Sequence, residues 1–526
     1  MRVNLEIPEQ FNVTTLFVDR HLAEGRGDKI AIYYQDGAIT YREVYENVNR
    51  AGNALRKLGI GLEDRVMLLL ADCPEYAYSF FGAMKIGAVP IPANTLLKPA
   101  DYRYLLNDSR AKVLVVSAEL LPALEGVWGD LLYLKEVLVV GEPANSHLSF
   151  AACLEAAGPQ LEAVATSKDD MAFWLYSSGT TGFPKGTVHL HHDMVVSAEN
   201  FGRGVLGISE NDITFSVAKL FFAYGLGNGL YFAFYAGAST VLSPQRPTPE
   251  HVFEVIDTYK PTLFFGVPTS YAALLQIPEA GQKYDLSSIR FCVSAGEALP
   301  EPVYQHWKEK FGLDILDGIG STEILHIFIS NRPGKIRPGS SGLPVPGYQA
   351  KIVDPDGMEV PKGEIGTLLV NGDSIAAYYW NKHEKSKETF LGEWINTGDR
   401  YYQDEEGFFW YAGRGDDMIK AGGIWVSPVE VEHTLMAHPA VLECGVVGSA
   451  DSDGLVKPKA FVVLKDGFSP APELAEELQQ FVKARIAPYK FPRWINFVHE
   501  LPKTATGKIM RYCLRQVDAD DLGEVS

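Results

Sequence analysis

The sequence predicts an α/β fold in three parts: a large N-terminal unit of α/β layers, a β-rich subdomain that closes it, and a small α+β C-terminal domain. Three observations carry this. Short β-branched runs alternate with helical patterns through the first half of the chain and beyond. Past Gly339 the texture changes to short alternating strands broken by Gly/Pro turns. After the stretch from Tyr411 to Met418, dense in glycine and charge, a compact helix-and-strand pattern restarts.

In order, buried strands are expected at Val66 to Leu70, Lys112 to Ser117, Val137 to Val140, Met171 to Tyr176, Thr262 to Val267 and Arg290 to Ser294. Helices at Pro74 to Ile86 and Pro249 to Lys260 lie between them, each opened by a proline suited to a first helical turn. Such alternation implies a largely parallel sheet, with ligands at the C-terminal ends of its strands. In the last part, helices are expected near Pro428 to Met436 and Pro472 to Arg485, and strands near Val441 to Val447 and Ala460 to Leu464. The expected boundary places domains at 1–415 and 416–526.

The chain has 526 residues, 46% hydrophobic and 21% charged, enough for sizeable buried cores and unlike a disordered or fibrous protein. Its net charge of -19 argues against nucleic acid or an anionic membrane surface as partner. The five cysteines lie far apart, without zinc-knuckle or CxxC spacing. The first residues carry Glu6 and Glu9 and no apolar h-region, so a cytoplasmic location is expected. Leu220 to Gln245 is uncharged, but its glycines and Asn228 read as a buried helix feeding a buried strand rather than a membrane span.

The chemistry concentrates at Tyr176 to Gly186, after the strand that starts at Met171. Glycines 179, 182 and 186 let backbone N–H groups face an anion. Ser177, Ser178, Thr180 and Thr181 offer hydroxyls to phosphate oxygens, and Lys185 adds a positive charge. This is no Walker loop, which needs Gly-Lys followed directly by Ser/Thr, whereas here Pro184 precedes the lysine.

This segment resembles the signature loop of the adenylate-forming superfamily: acyl- and aryl-CoA synthetases, carrier-protein adenylation domains and beetle luciferases. The resemblance continues in the family's order through Asp317 to Glu323, Thr397 to Asp399, Tyr411 to Lys420 and Pro502 to Lys508, and so covers essentially the whole chain. It implies the adenylate-forming enzyme fold, with a mobile C-terminal cap and two half-reactions. A carboxylate attacks the α-phosphorus of ATP to give an acyl-adenylate and pyrophosphate, and a thiol then displaces AMP. It further implies that Glu323 and Thr180 hold Mg²⁺ on the phosphates and that Thr322 helps place the nucleotide. Asp399 and Arg414 would meet the ribose. Gly296, Glu297, Ala298, Asp317 and Gly318 would border the adenine. Lys508 would be the mobile lysine of adenylation. Asp416 would be the hinge that brings the Lys420, Gly422 and Gly423 face in for thioester formation.

The resemblance tightens toward benzoate-type CoA ligases at Lys219 to Gly225 and Gly320 to Ile327. Ala223, Tyr224, Gly320, His326 and Ile327 would then wall the acid pocket, small or apolar enough for a flat ring. The implied reaction joins benzoate to coenzyme A. The alternatives are a substituted benzoate (2-amino-, hydroxy- or fluorobenzoate) or loading of a carrier protein. A luciferase-like oxygenase and a silent nucleotide-binding homologue are weaker readings, the latter opposed by the intact Lys508, Glu323, Asp399 and Arg414. The expected partners are the aromatic acid, ATP and CoA, with homodimer formation left open.

Three other signals are discounted. Gly202 to Gly207 fits GxGxxG but follows a helical pattern rather than a strand. His189, His191 and His192 cluster without a carboxylate motif to complete a zinc site. The acidic stretch from Asp518 to Glu524 reads as a solvated end.

Overall fold

A computed structural model describes residues 5–143, 147–179, 182–415, 417–421, 424–450, 456–503 and 509–516. Thr180, Thr181, Asp416, Gly422, Gly423 and Lys508 lie outside the described residues.

Two sheets built mainly of parallel strands dominate the N-terminal part. The first has the spatial order Val89–Pro92, Arg65–Leu69, Val113–Ser117, Glu136–Val140, Leu148–Ser149, with every pair parallel. The second is nine-stranded. Its central path runs Ile315–Gly320, Phe291–Ser294, Leu263–Gly266, Ile213–Ser216, Ser239–Leu242, Ile30–Tyr34, all parallel, with antiparallel strands added at both edges. Strands buried on both faces need continuous apolar runs, and Leu263–Gly266 and Val113–Ser117 are buried along their whole length.

The helices Tyr41–Lys57 and Pro74–Lys85 pack against each other. A Cβ at Gly82 would sit 2.8 Å from the Val48 carbonyl and 2.9 Å from the Gly52 nitrogen, so this crossing admits only glycine there. The uncharged run after Leu220 is a buried helical path, Ala223–Leu226, Gly227–Tyr231 and Phe232–Ala236, feeding the strand Ser239–Leu242. Its middle segment is a wider π-type turn. Among the described residues no helix is long and apolar enough to cross a membrane.

One expectation needs correction. The Met171 strand does not end at Tyr176 and release a loop. It runs to Gly179, and the chain returns antiparallel as Gly182–Leu190, with Tyr378–Tyr379 pairing on the outer side. Residues 177–179 and 182–186 of the Ser/Gly-rich segment are therefore paired strand ends, which local propensity alone does not reveal.

The β-rich subdomain is an antiparallel sheet of Gln349–Val353, Gly366–Asn371, Trp394–Gln403, Phe390–Leu391 and Phe409–Arg414. Beyond it, Val441–Ala450 and Val456–Leu464 pair antiparallel, and Trp494–Phe497 joins in parallel. The helices Pro428–Met436 and Pro472–Lys483 bury Leu435, Leu478 and Val482 in a separate core with Val446 and Val462. The architecture is thus a large α/β N-terminal part followed by a smaller α+β one.

Candidate active site

Three adjacent parallel strands deliver the site at their C-terminal ends. After Phe291–Ser294 the chain bends at Gly296, whose φ of +98° suits a residue without Cβ, and continues to Glu297 and Ala298. Ile315–Gly320 leads into the turn Thr322–Ile324, which carries Glu323. Leu263–Gly266 ends at a carbonyl that accepts the Tyr224 hydroxyl at 3.0 Å.

The residues expected to meet the nucleotide assemble around Glu323. Its Oε1 accepts from the Ser177 hydroxyl at 3.2 Å and from the Tyr379 hydroxyl at 2.8 Å, so hairpin and turn are tied together. Lys185 lies over the Tyr379 ring, 4.4 Å from its centroid. Burial lowers the Lys185 pKa, and the Glu323 carboxylate opposes that shift. The turn is also held through its backbone. His189 donates from Nε2 to the Thr322 carbonyl at 2.8 Å, and its Nδ1 meets Asp193 Oδ2 at 2.7 Å. The histidine cluster of the sequence is therefore spread over structural tasks: His191 Nδ1 accepts from Val13 N, and His192 bridges the Lys168 and Asp373 carbonyls.

Asp399 and Arg414 face each other across neighbouring strands of the β-rich sheet, Oδ1 to Nη1 at 2.9 Å. Asp317 is buried midway along its strand, where Oδ2 accepts from Leu299 N at 3.3 Å. Burial pushes its carboxyl up to about 8. Gly318 lies so close to the neighbouring strand that a Cβ would meet the Ile329 carbonyl at 2.7 Å. One carboxylate, one serine hydroxyl and a phosphate chain make a donor set that fits a hard, mostly water- and phosphate-ligated cation. Among the described residues no cluster of three or more His, Cys, Asp or Glu forms a closed metal cage.

The pocket residues also converge. His326 Nε2 lies 3.3 Å from the Tyr224 carbonyl and 3.1 Å from Asn228 Oδ1, and the imidazole packs 5.5 Å from the Tyr224 ring and 4.5 Å from Phe232. A carbonyl can only accept, so Nε2 carries the proton and Nδ1 is an acceptor. Burial holds this histidine neutral, with its pKa lowered to about 3. Both His326 Nδ1 and Asn228 Nδ2 are buried without a hydrogen-bond partner. Gly320 abuts the backbone of His326 and Ile327, where a Cβ would lie 2.8 Å from the His326 carbonyl. Ala223 and Ile327 are buried and apolar. Leu325, between Glu323 and His326, has φ of +73°, a strained value for a leucine.

Sequence reasoning missed Asn228, Tyr379 and the task of His189. Asn228 lies one helical turn past Tyr224, a spacing that could have found it. Tyr379 and His189 act across sheets and leave no local signal. Lys420 lies on the short strand Ile419–Ala421.

Comparison with known proteins places this arrangement in a family. Residues 19–380 match the AMP-binding enzyme family, and residues 430–508 match the AMP-binding enzyme C-terminal domain. The chain belongs to this family. It is an AMP-forming acid–thiol ligase of the acyl- and aryl-CoA synthetase superfamily, which uses ATP to adenylate an aromatic carboxylate and joins it to coenzyme A. Among its relatives, a benzoate–CoA ligase of Thauera aromatica is 51% identical over 513 residues, covering 97% of both chains. The crystal structure of an anthranilate CoA ligase in complex with anthranoyl-AMP is 49% identical, covers 97% of both chains and superposes with a TM-score of 0.93. A benzoate CoA ligase structure from Burkholderia xenovorans LB400 is 47% identical, covers 96% of this chain and all (100%) of that one, and has a TM-score of 0.90.

Proposed function

We propose that this ligase makes aroyl-CoA from small substituted benzoates, 2-aminobenzoate first among them. The observation that carries the reading is the proton on His326 Nε2, which leaves Nδ1 as an unpaired acceptor among the pocket residues. That nitrogen is closed to solvent, so a ring N–H or O–H would have to displace a neighbour to reach it; once there it would satisfy the acceptor that benzoate leaves bare. The likeness to the ligase solved with anthranoyl-AMP supports this reading. Benzoate itself is the second reading, favoured by the apolar Ala223 and Ile327 walls and by the benzoate–CoA ligase relatives.

In this reading Glu323, with Thr180, holds Mg²⁺, which supplies charge neutralisation on the phosphates. Ser177, Ser178, Gly179, Thr181, Gly182 and Lys185 cradle the phosphate chain, and Thr322 supports the turn beside it. Asp399 and Arg414 take the ribose. The bend at Gly296, Glu297 and Ala298, with Asp317 and Gly318, flanks the adenine. The carboxylate oxygen forms a bond to the α-phosphorus and pyrophosphate leaves with the bonding electrons, while Lys508 meets the developing negative charge. Rotation at Asp416, the boundary between 1–415 and 416–526, then presents the Lys420 face. The CoA thiolate attacks the acyl carbon and AMP departs.

The test is kcat/KM for AMP and aroyl-CoA formation with 2-aminobenzoate, benzoate, 4-hydroxybenzoate and a medium-chain fatty acid, each with ATP, Mg²⁺ and CoA. A preference of about tenfold for 2-aminobenzoate over benzoate is expected from one satisfied hydrogen bond. A preference for benzoate overturns the substituent reading, and product only with a phosphopantetheinyl protein overturns the CoA step.

A further inference from the structure

Lys185 and Glu323 carry opposite charges and face the same phosphate site, yet among the described residues no ion pair joins them. Tyr379 stands at both. Its hydroxyl donates to Glu323 Oε1 at 2.8 Å, and its ring face lies 4.4 Å from the Lys185 ammonium. The residue is buried and firmly placed. The strand Tyr378–Tyr379 pairs with Thr187 and Val188 of the hairpin, and Tyr379 N donates to Ser386 Oγ at 3.0 Å. The ring also packs 5.2 Å from Phe390. Close by, Ala376 N donates to the Glu323 carbonyl at 2.8 Å.

We propose that Tyr379 is a positioning residue that keeps the phosphate-site cation and anion apart before the nucleotide arrives, holding the carboxylate by its hydroxyl and the ammonium by its ring. Without it, the two side chains would collapse into a salt bridge that incoming Mg²⁺ and triphosphate would have to break. With it, the carboxylate stays turned for a metal and the ammonium for a phosphate oxygen, so less reorganisation accompanies binding. The inference rests on the reading that Glu323 serves Mg²⁺ and Lys185 serves phosphate. It adds a residue whose two faces do different work: Tyr379→Phe removes only the hydroxyl, and Tyr379→Leu removes the ring as well.

The experiment is calorimetric titration of the full chain with ATP, once with Mg²⁺ and once with EDTA, and without any acid, so that no turnover occurs. Thermal melting controls for folding. Tyr379→Phe is expected to weaken MgATP binding about tenfold and metal-free ATP binding, which must free Lys185 but needs no carboxylate, about threefold, whereas Tyr379→Leu weakens both further. In a Lys185→Met background, which has no ammonium for the carboxylate to collapse on, the Phe effect should shrink to about threefold or less. Glu323→Gln is the reference. If it abolishes the Mg²⁺ dependence while Tyr379→Phe leaves MgATP affinity unchanged, the positioning inference fails and the metal reading stands. If Glu323→Gln leaves the Mg²⁺ dependence intact, the metal reading fails and takes the inference with it. An undiminished Phe effect in the Lys185→Met background reduces Tyr379 to an orienter of Glu323 and overturns the charge-separation claim.

Discussion

Replacing His326 by leucine, of similar volume, separates the histidine's packing from its hydrogen bonding. In the parent, Nε2 donates to Asn228 Oδ1 at 3.1 Å and to the Tyr224 carbonyl at 3.3 Å, with His326 and Asn228 buried and Tyr224 half-buried. The leucine variant leaves Asn228 Oδ1 without a partner beside an amide Nδ2 that already lacks one. A newly orphaned buried acceptor costs about 1–3 kcal/mol. Asn228→Leu orphans the histidine in the same way, less severely because the Tyr224 carbonyl remains. The double variant removes both partners, so it should fall short of the summed losses by about 1–2 kcal/mol. Denaturant unfolding of the four proteins measures this coupling. The proton gives a second handle. Because burial lowers the His326 pKa to about 3, the unfolded chain takes up this proton first as pH falls from about 6.5, and parental stability falls with it. The stability deficit of His326→Leu should therefore shrink by about 1.4 kcal/mol per pH unit below pH 6.5. Catalysis reads the remaining nitrogen. The kcat/KM ratio of 2-aminobenzoate to benzoate should drop about tenfold in His326→Leu and in the double variant, and less in Asn228→Leu. An unchanged ratio together with the expected stability loss would show His326 to be a core residue and refute its part in reading the ring.

Three further outcomes follow from single sites. Asp317 keeps its proton in the folded state up to about pH 8 and loses it near pH 4 when unfolded, so its contribution to stability declines as pH rises through that window. Against Asp317→Asn, which cannot titrate, the parent should lose about 3 kcal/mol between pH 5 and 7.5, measured by denaturant unfolding. Gly320→Ala puts a Cβ 2.8 Å from the His326 carbonyl, backbone against backbone, so kcat/KM for the acid should fall about a hundredfold. Isotope exchange between pyrophosphate and ATP shows whether the loss lies in adenylation. Buried Glu432 accepts at Oε2 from the half-buried Arg511 Nη2 at 2.7 Å, so Arg511→Met, which strands the carboxylate, should destabilise the C-terminal domain by about 3 kcal/mol. Limited proteolysis should then cut beyond residue 416 first.

What was legible in the sequence is what is contiguous in it. The parallel strands announce themselves because burial on both faces demands unbroken apolar runs, as in Val113–Ser117. The pocket glycines and the carboxylate of Glu323 stand in one short segment and can be read together. The hairpin was not legible, because its second strand pairs through residues 182–186 that look like loop by composition. Nor were Tyr379 and His189. Tyr379 reaches Glu323 from fifty-six positions away, and His189 holds the Thr322 carbonyl from 133 away. Such contacts are properties of sheet pairing, and no local pattern encodes them. The paired charges Asp399 and Arg414 were expected at one sugar, and their direct cross-strand ion pair shows how the sheet register brings them together.

The turn after Ser321 brings together the two groups to which the proposed function gives the phosphates and the acid. Glu323 and His326 are three residues apart, yet the first faces the hairpin through Ser177 and Tyr379, and the second faces the helical path through Tyr224 and Asn228. A regular helix would hold residues three apart on one face rather than divide them. The strained φ of +73° at Leu325 reverses the chain between them, and the buried leucine side chain anchors the reversal in the core. His189 clamps the Thr322 carbonyl on one flank and Gly320 lets the backbone close on the other. The groups that the proposed function assigns to the acid and to the phosphates are thereby set on one rigid reversal. Moving either would move both, so in that reading the spacing between carboxylate and α-phosphorus is set by the backbone rather than left to flexible side chains.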